Sequence, residues 1–141
     1  MASGLNVLDT TIQKTNEFLE KVELDLGWTG HRHEAYQATR AVLHAIRDRL
    51  PVDLAAHMAA SLPLFLKGVY FEGWSPAKVP VRMNQKNFVQ HVRSNFAFSE
   101  GAIGLEEVIR VVGGRIFELI GTDETENILQ ALSPGVAALF C

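Results

Sequence analysis

The residues that could do chemistry in this chain are five histidines, a scatter of carboxylates and one basic, aromatic stretch. His31-Arg32-His33 places two imidazoles two residues apart, and His44, His57 and His91 follow on separate segments. Imidazole binds zinc, copper or nickel, but a useful site takes three or four ligands. Side chains at i and i+2 do not share a helix face, and the start of a helix favours anions over cations. The H-x-H pair therefore reads as a solvated helix start, with no metal and no cofactor expected. Asp48, Asp53 and Glu106-Glu107 are available for acid–base work, yet nothing in their spacing sets two carboxylates across a substrate. The G-x-S-x-G elbow, the P-loop and the dinucleotide fingerprint are missing. No catalytic residue is expected, and the chain is not read as an enzyme.

Charge is more informative than any single side chain. Residues 73–99 hold Lys78, Arg82, Lys86 and Arg93, with His91 and no acid, for a balance of +4. Residues 100–141, which include Glu100, carry −5 and residues 1–72 carry −2, so the chain as a whole is −3. Trp74, Phe88, Phe96 and Phe98 are interleaved with the bases, a pattern that suits anions or single-stranded nucleic acid. Four charges on an acidic chain make a small footprint, so nucleic acid is not the expected partner. The bland alternative is a solvated linker whose charges pair with the acidic half. Tyr70, Phe71 and Trp74, with Lys78, Arg82 and Lys86 just beyond, are the candidate contacts for a partner or an anion. The alternative for the three aromatics is a hydrophobic clasp inside the molecule.

These residues must be positioned by helices, because strand signals are almost absent. Lys78 to Met83 is the one short extended candidate, and Pro80 interrupts it. A first helix is expected from a cap at Asp9, Thr10 or Thr11 to about Leu26, with Ile12, Phe18, Leu19, Val22 and Leu26 on one face and Gly27 ending it. A second runs from about Gly30 to Leu50. Its apolar side is Ala35, Ala38, Val42, Ile46 and Leu50, and its polar side is His33, Gln37, Arg40, His44 and Arg47. Short helices follow at about 52–60 and 63–71, with Pro63 suited to a first turn. Residues 73–83 read as a loop. Asn84 caps a helix carrying Phe88, Val92 and Phe96, and a long apolar helix spans about 103–120, closed by Gly121. Gly113 and Gly114 lie inside it at a cost of about 1 kcal/mol each against alanine, which points to close helix packing. Asp123 with Glu126 resembles a capping box for the next helix, and Ser133-Pro134 opens a last short one ending near Phe140.

The two halves resemble one another. A shift of 70 residues lays Phe18 on Phe88, Val22 on Val92, Trp28 on Phe98, Arg40 on Arg110, Val42 on Val112 and Ile46 on Ile116. With one inserted residue, Pro63 falls on Pro134. The expectation is one all-α domain over 1–141, a compact bundle of about eight helices. It is built from two pseudo-symmetric halves, 10–72 and 84–140, joined by the connector 73–83. Each half alone is small for independent stability. Globin-like packing is the alternative, and it would need His57 or His91 to face an apolar pocket. No apolar run is long enough to span a membrane. The start shows no signal-peptide pattern, and the lone Cys141 has no partner for a disulfide. A cytoplasmic location is expected.

The segment R-A-V-L-H-A-I-R-D-R-L from Arg40 to Leu50, followed by S-L-P-L-F-L-K-G-V-Y-F-E-G-W from Ser61 to Trp74, resembles the bacterial family catalogued as domain of unknown function 2267. The resemblance extends over nearly the whole chain, although its sharp motifs lie in the first half. It implies an all-helical bacterial domain and carries no activity, cofactor or catalytic residue with it. The function expected is therefore that of a non-enzymatic interaction or structural module, binding a protein partner or a second copy of itself. The alternative is a small-ligand or anion binder using residues 73–99 and the seam between the halves.

Overall fold

Apolar residues recurring every three or four positions produce eight α-helices in this computed structural model, which describes residues 2–97 and 103–141. Phe98 and Glu100 lie outside the described residues. No strand occurs among the described residues, and the expected all-α architecture is what forms.

Helix α1 (Asn6–Leu26) ends at Gly27, whose left-handed φ of 72° lets its N–H reach back to the Glu23 and Leu24 carbonyls. Helix α2 (Arg32–Asp48) is the most deeply buried, with Ala35, Ala38, Ala41, Val42, Leu43, Ala45 and Ile46 out of contact with solvent. Its alanines let neighbouring helices approach closely. Helices α3 (Val52–Ala59) and α4 (Leu64–Phe71) follow, then a 3-10 turn at Pro76–Lys78 within the connector. Helix α5 (Gln85–Ser94) starts as expected, with Asn84 Oδ1 accepting the Asn87 N–H at 2.7 Å. Helix α6 (Leu105–Ile120) is the second central rod, and α7 (Thr122–Ala131), α8 (Pro134–Ala137) and a terminal 3-10 turn, Ala138–Phe140, complete the chain.

The rods α2 and α6 pack on each other, and α1 and α5 each pack against both. Helix α4 lies on α1 and α2, the α8 end lies on α5 and α6, and α3 meets α7. Buried apolar side chains from all these elements form one cluster. Gly113 has the packing role expected of it: a Cβ there would overlap Phe140 Cδ1. Gly114 has open space around it.

Several expected details are corrected. Helix α1 begins earlier, at Asn6, and its supposed caps are used elsewhere. Asp9 Oδ1 accepts the Ser3 N–H at 2.7 Å, and Thr11 Oγ1 accepts the Phe65 N–H at 2.8 Å. Ile12 is 46% exposed rather than in the core, because no element covers that part of α1. Asp123 caps nothing: Gly121, at φ 93°, turns the chain directly from α6 into α7, so Asp123 falls inside the first turn. Pro63 is the residue before α4, not in its first turn. Ser133 precedes α8 as expected, but its hydroxyl donates to the Met83 carbonyl instead of capping.

Candidate functional site

The aromatic and basic candidates separate once folded. Tyr70 is fully buried, and its hydroxyl donates to the Ala55 carbonyl at 2.8 Å. Burial raises its pKa. Phe71 and Trp74 are half-buried against the core, with rings 5.2 Å apart, and Tyr70 meets Phe71 edge-on at the same separation. The three form an aromatic step running from the core to the start of the connector. Lys78, Arg82 and Lys86 are exposed along the connector and the first turn of α5.

Beneath this step is a polar network absent from the sequence-based reading. His44 and Arg47 belong to the face of α2 expected to be solvated, yet both are buried. The reason is α4, whose C-terminal carbonyls lie over that face. His44 Nε2 is 2.6 Å from the Val69 oxygen. Arg47 Nη1 donates to the Tyr70 and Glu72 oxygens at 2.8 and 2.7 Å, and Arg47 Nε donates to Asp48 Oδ1 at 2.8 Å. The last carbonyls of a helix have no partner within it, so Arg47 and His44 serve as a side-chain cap supplied by another helix. Burial holds the His44 pKa below its ordinary value, against the raising effect of the Val69 carbonyl. Burial pushes the Asp48 carboxyl up, but hydrogen bonds from His91 and Arg47 outweigh it and hold the group low. A histidine and an arginine three residues apart within the small, apolar stretch Ala41–Ile46 and its edge were the available signal.

The remaining histidines are dispersed. His57 is 70% exposed at its side chain and pairs with Glu124 at 2.8 Å. His91 pairs with Asp48 at 3.0 Å. Both rings are thus turned to a carboxylate of another helix, not to an apolar pocket as the globin-like alternative needs. His31 lies 3.7 Å from Glu34, and His33 stacks on Tyr36. Among the described residues no three potential ligands converge as a metal site would require.

Among the described residues, two of the grooves bear most on binding. One, of about 400 Å³, runs between α1, the start of α2 and the start of α4. Its walls include Leu8, Ile12, Leu19, Tyr36 and Phe65, with Arg32 and His33 at one end. On the floor, Thr15 Oγ1 is buried without a hydrogen-bond partner. Of the nine large apolar side chains exposed among the described residues, six belong to the start of α1 or the start of α4, segments joined by the Thr11–Phe65 bond: Leu8, Ile12 and Phe65 line the groove, and Leu5, Val7 and Leu64 adjoin them along the chain. The other groove, of about 730 Å³, lies where the end of α2, the connector, α5 and the α7–α8 turn meet. Arg49 and Arg82 line it, so of the six candidate contacts Arg82 alone belongs to a groove wall.

No helix among the described residues is long and apolar enough to cross a membrane. No curated protein matches the sequence. One family model does, over residues 15–139, and its description is an uncharacterized conserved protein. The match runs from the middle of α1 into the last turn, taking in the Arg47 cap, the aromatic step and the groove of Arg49 and Arg82, while Leu8, Thr11 and Ile12 of the apolar groove precede it; the chain belongs to that family, DUF2267.

Proposed function

We propose that the protein is a non-enzymatic interaction module that pairs with a second copy of itself through the apolar groove beside α1. The observation that carries this reading is the gathering of six exposed apolar side chains on one end of the molecule. Together they expose roughly 600 Å², the upper end of what a monomer leaves uncovered. With its polar rim, that patch approaches the roughly 800 Å² per partner of a standard interface.

The shape favours a second copy as occupant. The first turns of α1 form a ridge, with Leu5, Leu8 and Ile12 at helical spacing, and the groove lies next to that ridge. A two-fold axis near Ile12 would lay each ridge into the other copy's groove, as an isologous interface requires. Charge agrees with this register. The ridge carries Asp9, and the antiparallel arrangement takes it toward the Arg32 and His33 end of the partner's groove. Size-exclusion chromatography with light scattering tests the reading: the wild type should be a dimer at micromolar concentration, and Ile12→Lys a folded monomer. A wild type that stays monomeric up to about 0.5 mM, near the weak end of specific association, would remove it.

The wider reading is of one domain in a bacterial cytoplasm, made of two related halves. Exchanging α1 with α5, α2 with α6 and α4 with the α8 end maps α1–α6 onto α2–α5, α1–α2 onto α5–α6 and α1–α4 onto α5–α8, which supports the duplication, although α6–α7 has no counterpart of that size between α2 and α3. The single cysteine is in keeping with a reducing compartment.

A further inference from the structure

We infer that the groove at the seam of the halves is a binding site for a small phosphate-bearing metabolite, held by Arg49 and Arg82. This goes beyond pairing through α1 and rests on different residues. Arg49 leaves the end of α2 and crosses toward α7, where Nη2 donates to the Ala131 carbonyl at 3.2 Å. Its Nε is shielded from solvent and has no hydrogen-bond partner among the described residues. Most arginines of the chain meet a carboxylate: Arg32 with Glu23, Arg40 with Glu72, Arg47 with Asp48, Arg110 with Glu107, and Arg115 with Asp25. Arg49 and Arg82 have no such partner among the described residues, and they line the same groove. A guanidinium partly withdrawn from water and bonded to one neutral carbonyl keeps its charge uncompensated.

The rest of the wall fits an anion with an organic part. No carboxylate lines the groove. Asn87 contributes an amide side chain with no hydrogen-bond partner among the described residues, and Pro51, Pro80 and Met83 supply an apolar surface. The nearest acid along the chain, Asp48, is occupied by Arg47 and His91. Guanidinium forks match phosphate oxygens, and a volume of about 730 Å³ is in the range of small-molecule sites. Lys78 and Lys86 are exposed and outside the wall, so they add field without contact.

Isothermal titration in low salt with inorganic pyrophosphate and with adenosine 5′-diphosphate tests this. Both should bind the wild type, and Arg82→Ala should weaken each at least tenfold. Arg49→Lys, which keeps the charge but loses the fork, should weaken both several-fold while circular dichroism stays unchanged. Lys86→Ala, which leaves the groove wall intact, should change affinity less than twofold. Tighter binding of the nucleotide than of pyrophosphate would assign part of the site to the apolar wall, whereas equal binding would assign it all to the oxyanion; both support the arginine pair. No binding of either probe at millimolar concentration would overturn the inference. So would a loss in Lys86→Ala equal to that in Arg82→Ala, which would mean a diffuse basic surface. An oligonucleotide that binds while pyrophosphate does not would overturn it too. A monomeric wild type in light scattering would leave this site untouched.

Discussion

Replacing Arg47 with methionine should be among the most damaging single substitutions in the first half of the chain. The side chain is 5% exposed and makes three hydrogen bonds. Methionine fills a similar volume, so cavity formation contributes little and the loss is polar. The Tyr70 carbonyl would be left buried without a donor, the Glu72 carbonyl partly so, and Asp48 would keep only His91. A buried acceptor left unsatisfied costs about 1–3 kcal/mol, and removing one member of a buried charged pair costs about 3–5 kcal/mol. These overlap, and relief from desolvating the guanidinium offsets part of them, so a net loss of about 3–4 kcal/mol is expected. With a urea slope of about 1.5 kcal/mol/M for a small domain, the unfolding midpoint should fall by roughly 2 M. Arg40→Met is the internal control, because Arg40 sits on the same helix and reaches the same part of α4 through the exposed Glu72 carboxylate. That exposed pair is screened by solvent, so its loss should move the midpoint far less. If urea titrations give the two variants the same midpoint, or Arg47→Met loses less than about 1 kcal/mol, the cap is not what holds α4 down.

Gly113→Ala should lower stability by about 1–3 kcal/mol through overpacking, since its Cβ would overlap the Phe140 ring; Gly114→Ala, in open space, should raise it by up to about 1 kcal/mol, and thermal unfolding of the pair reads the contrast. Because the folded pKa of His44 lies below its unfolded value near 6.5, its contribution is fully present above that pH and is lost as pH falls through the folded value. Urea midpoints should therefore decline from pH 7 into the fives, and His44→Gln should flatten that decline. A wild-type midpoint unchanged over the interval would contradict the buried neutral imidazole.

Periodicity made the helices legible because it reports which side chains share a face. It does not report what will cover that face. On α2 the face of His44 and Arg47 looked solvated, since both types are polar, and only the return of α4 buries it. On α1 the error runs the other way: Ile12 is apolar and on the inward stripe, yet no element reaches it. Caps were misjudged where a side chain found a distant partner, as Thr11 did with the backbone of α4. Asn84, with no such competitor, capped where its sequence position indicated. Among the candidate contacts, Tyr70 was misleading for a similar reason, because an aromatic next to a loop is compatible with either a surface or a core position, and its hydroxyl found a carbonyl inside. The basic stretch was readable as charge, but the groove it borders depends on Arg49, from a segment some thirty residues earlier.

The 70-residue shift sharpens what the two polar residues on α2 are for. It sets Leu43, His44 and Arg47 against Gly113, Gly114 and Phe117. His44 and Arg47 face the short element that ends the first half, and Gly113 and Phe117 face the one that ends the second. In the first half that element is α4, held through its carbonyls by His44 and Arg47. In the second it is the terminal turn, where Phe140 lies on Gly113 and meets Phe117 edge-on at 5.3 Å. One task, seating the last short segment on the long rod, is carried by buried hydrogen bonds in one half and by an aromatic ring on a bare backbone in the other. The two solutions respond to different perturbations. Acid should loosen the first by charging His44, whereas the second contains no titrating group in its contact and should yield to added volume at Gly113. Amide exchange that shows α4 opening at low pH before the C-terminal turn does would follow from this difference. Simultaneous opening would mean that the two ends are stabilised by the shared core and not by their separate contacts.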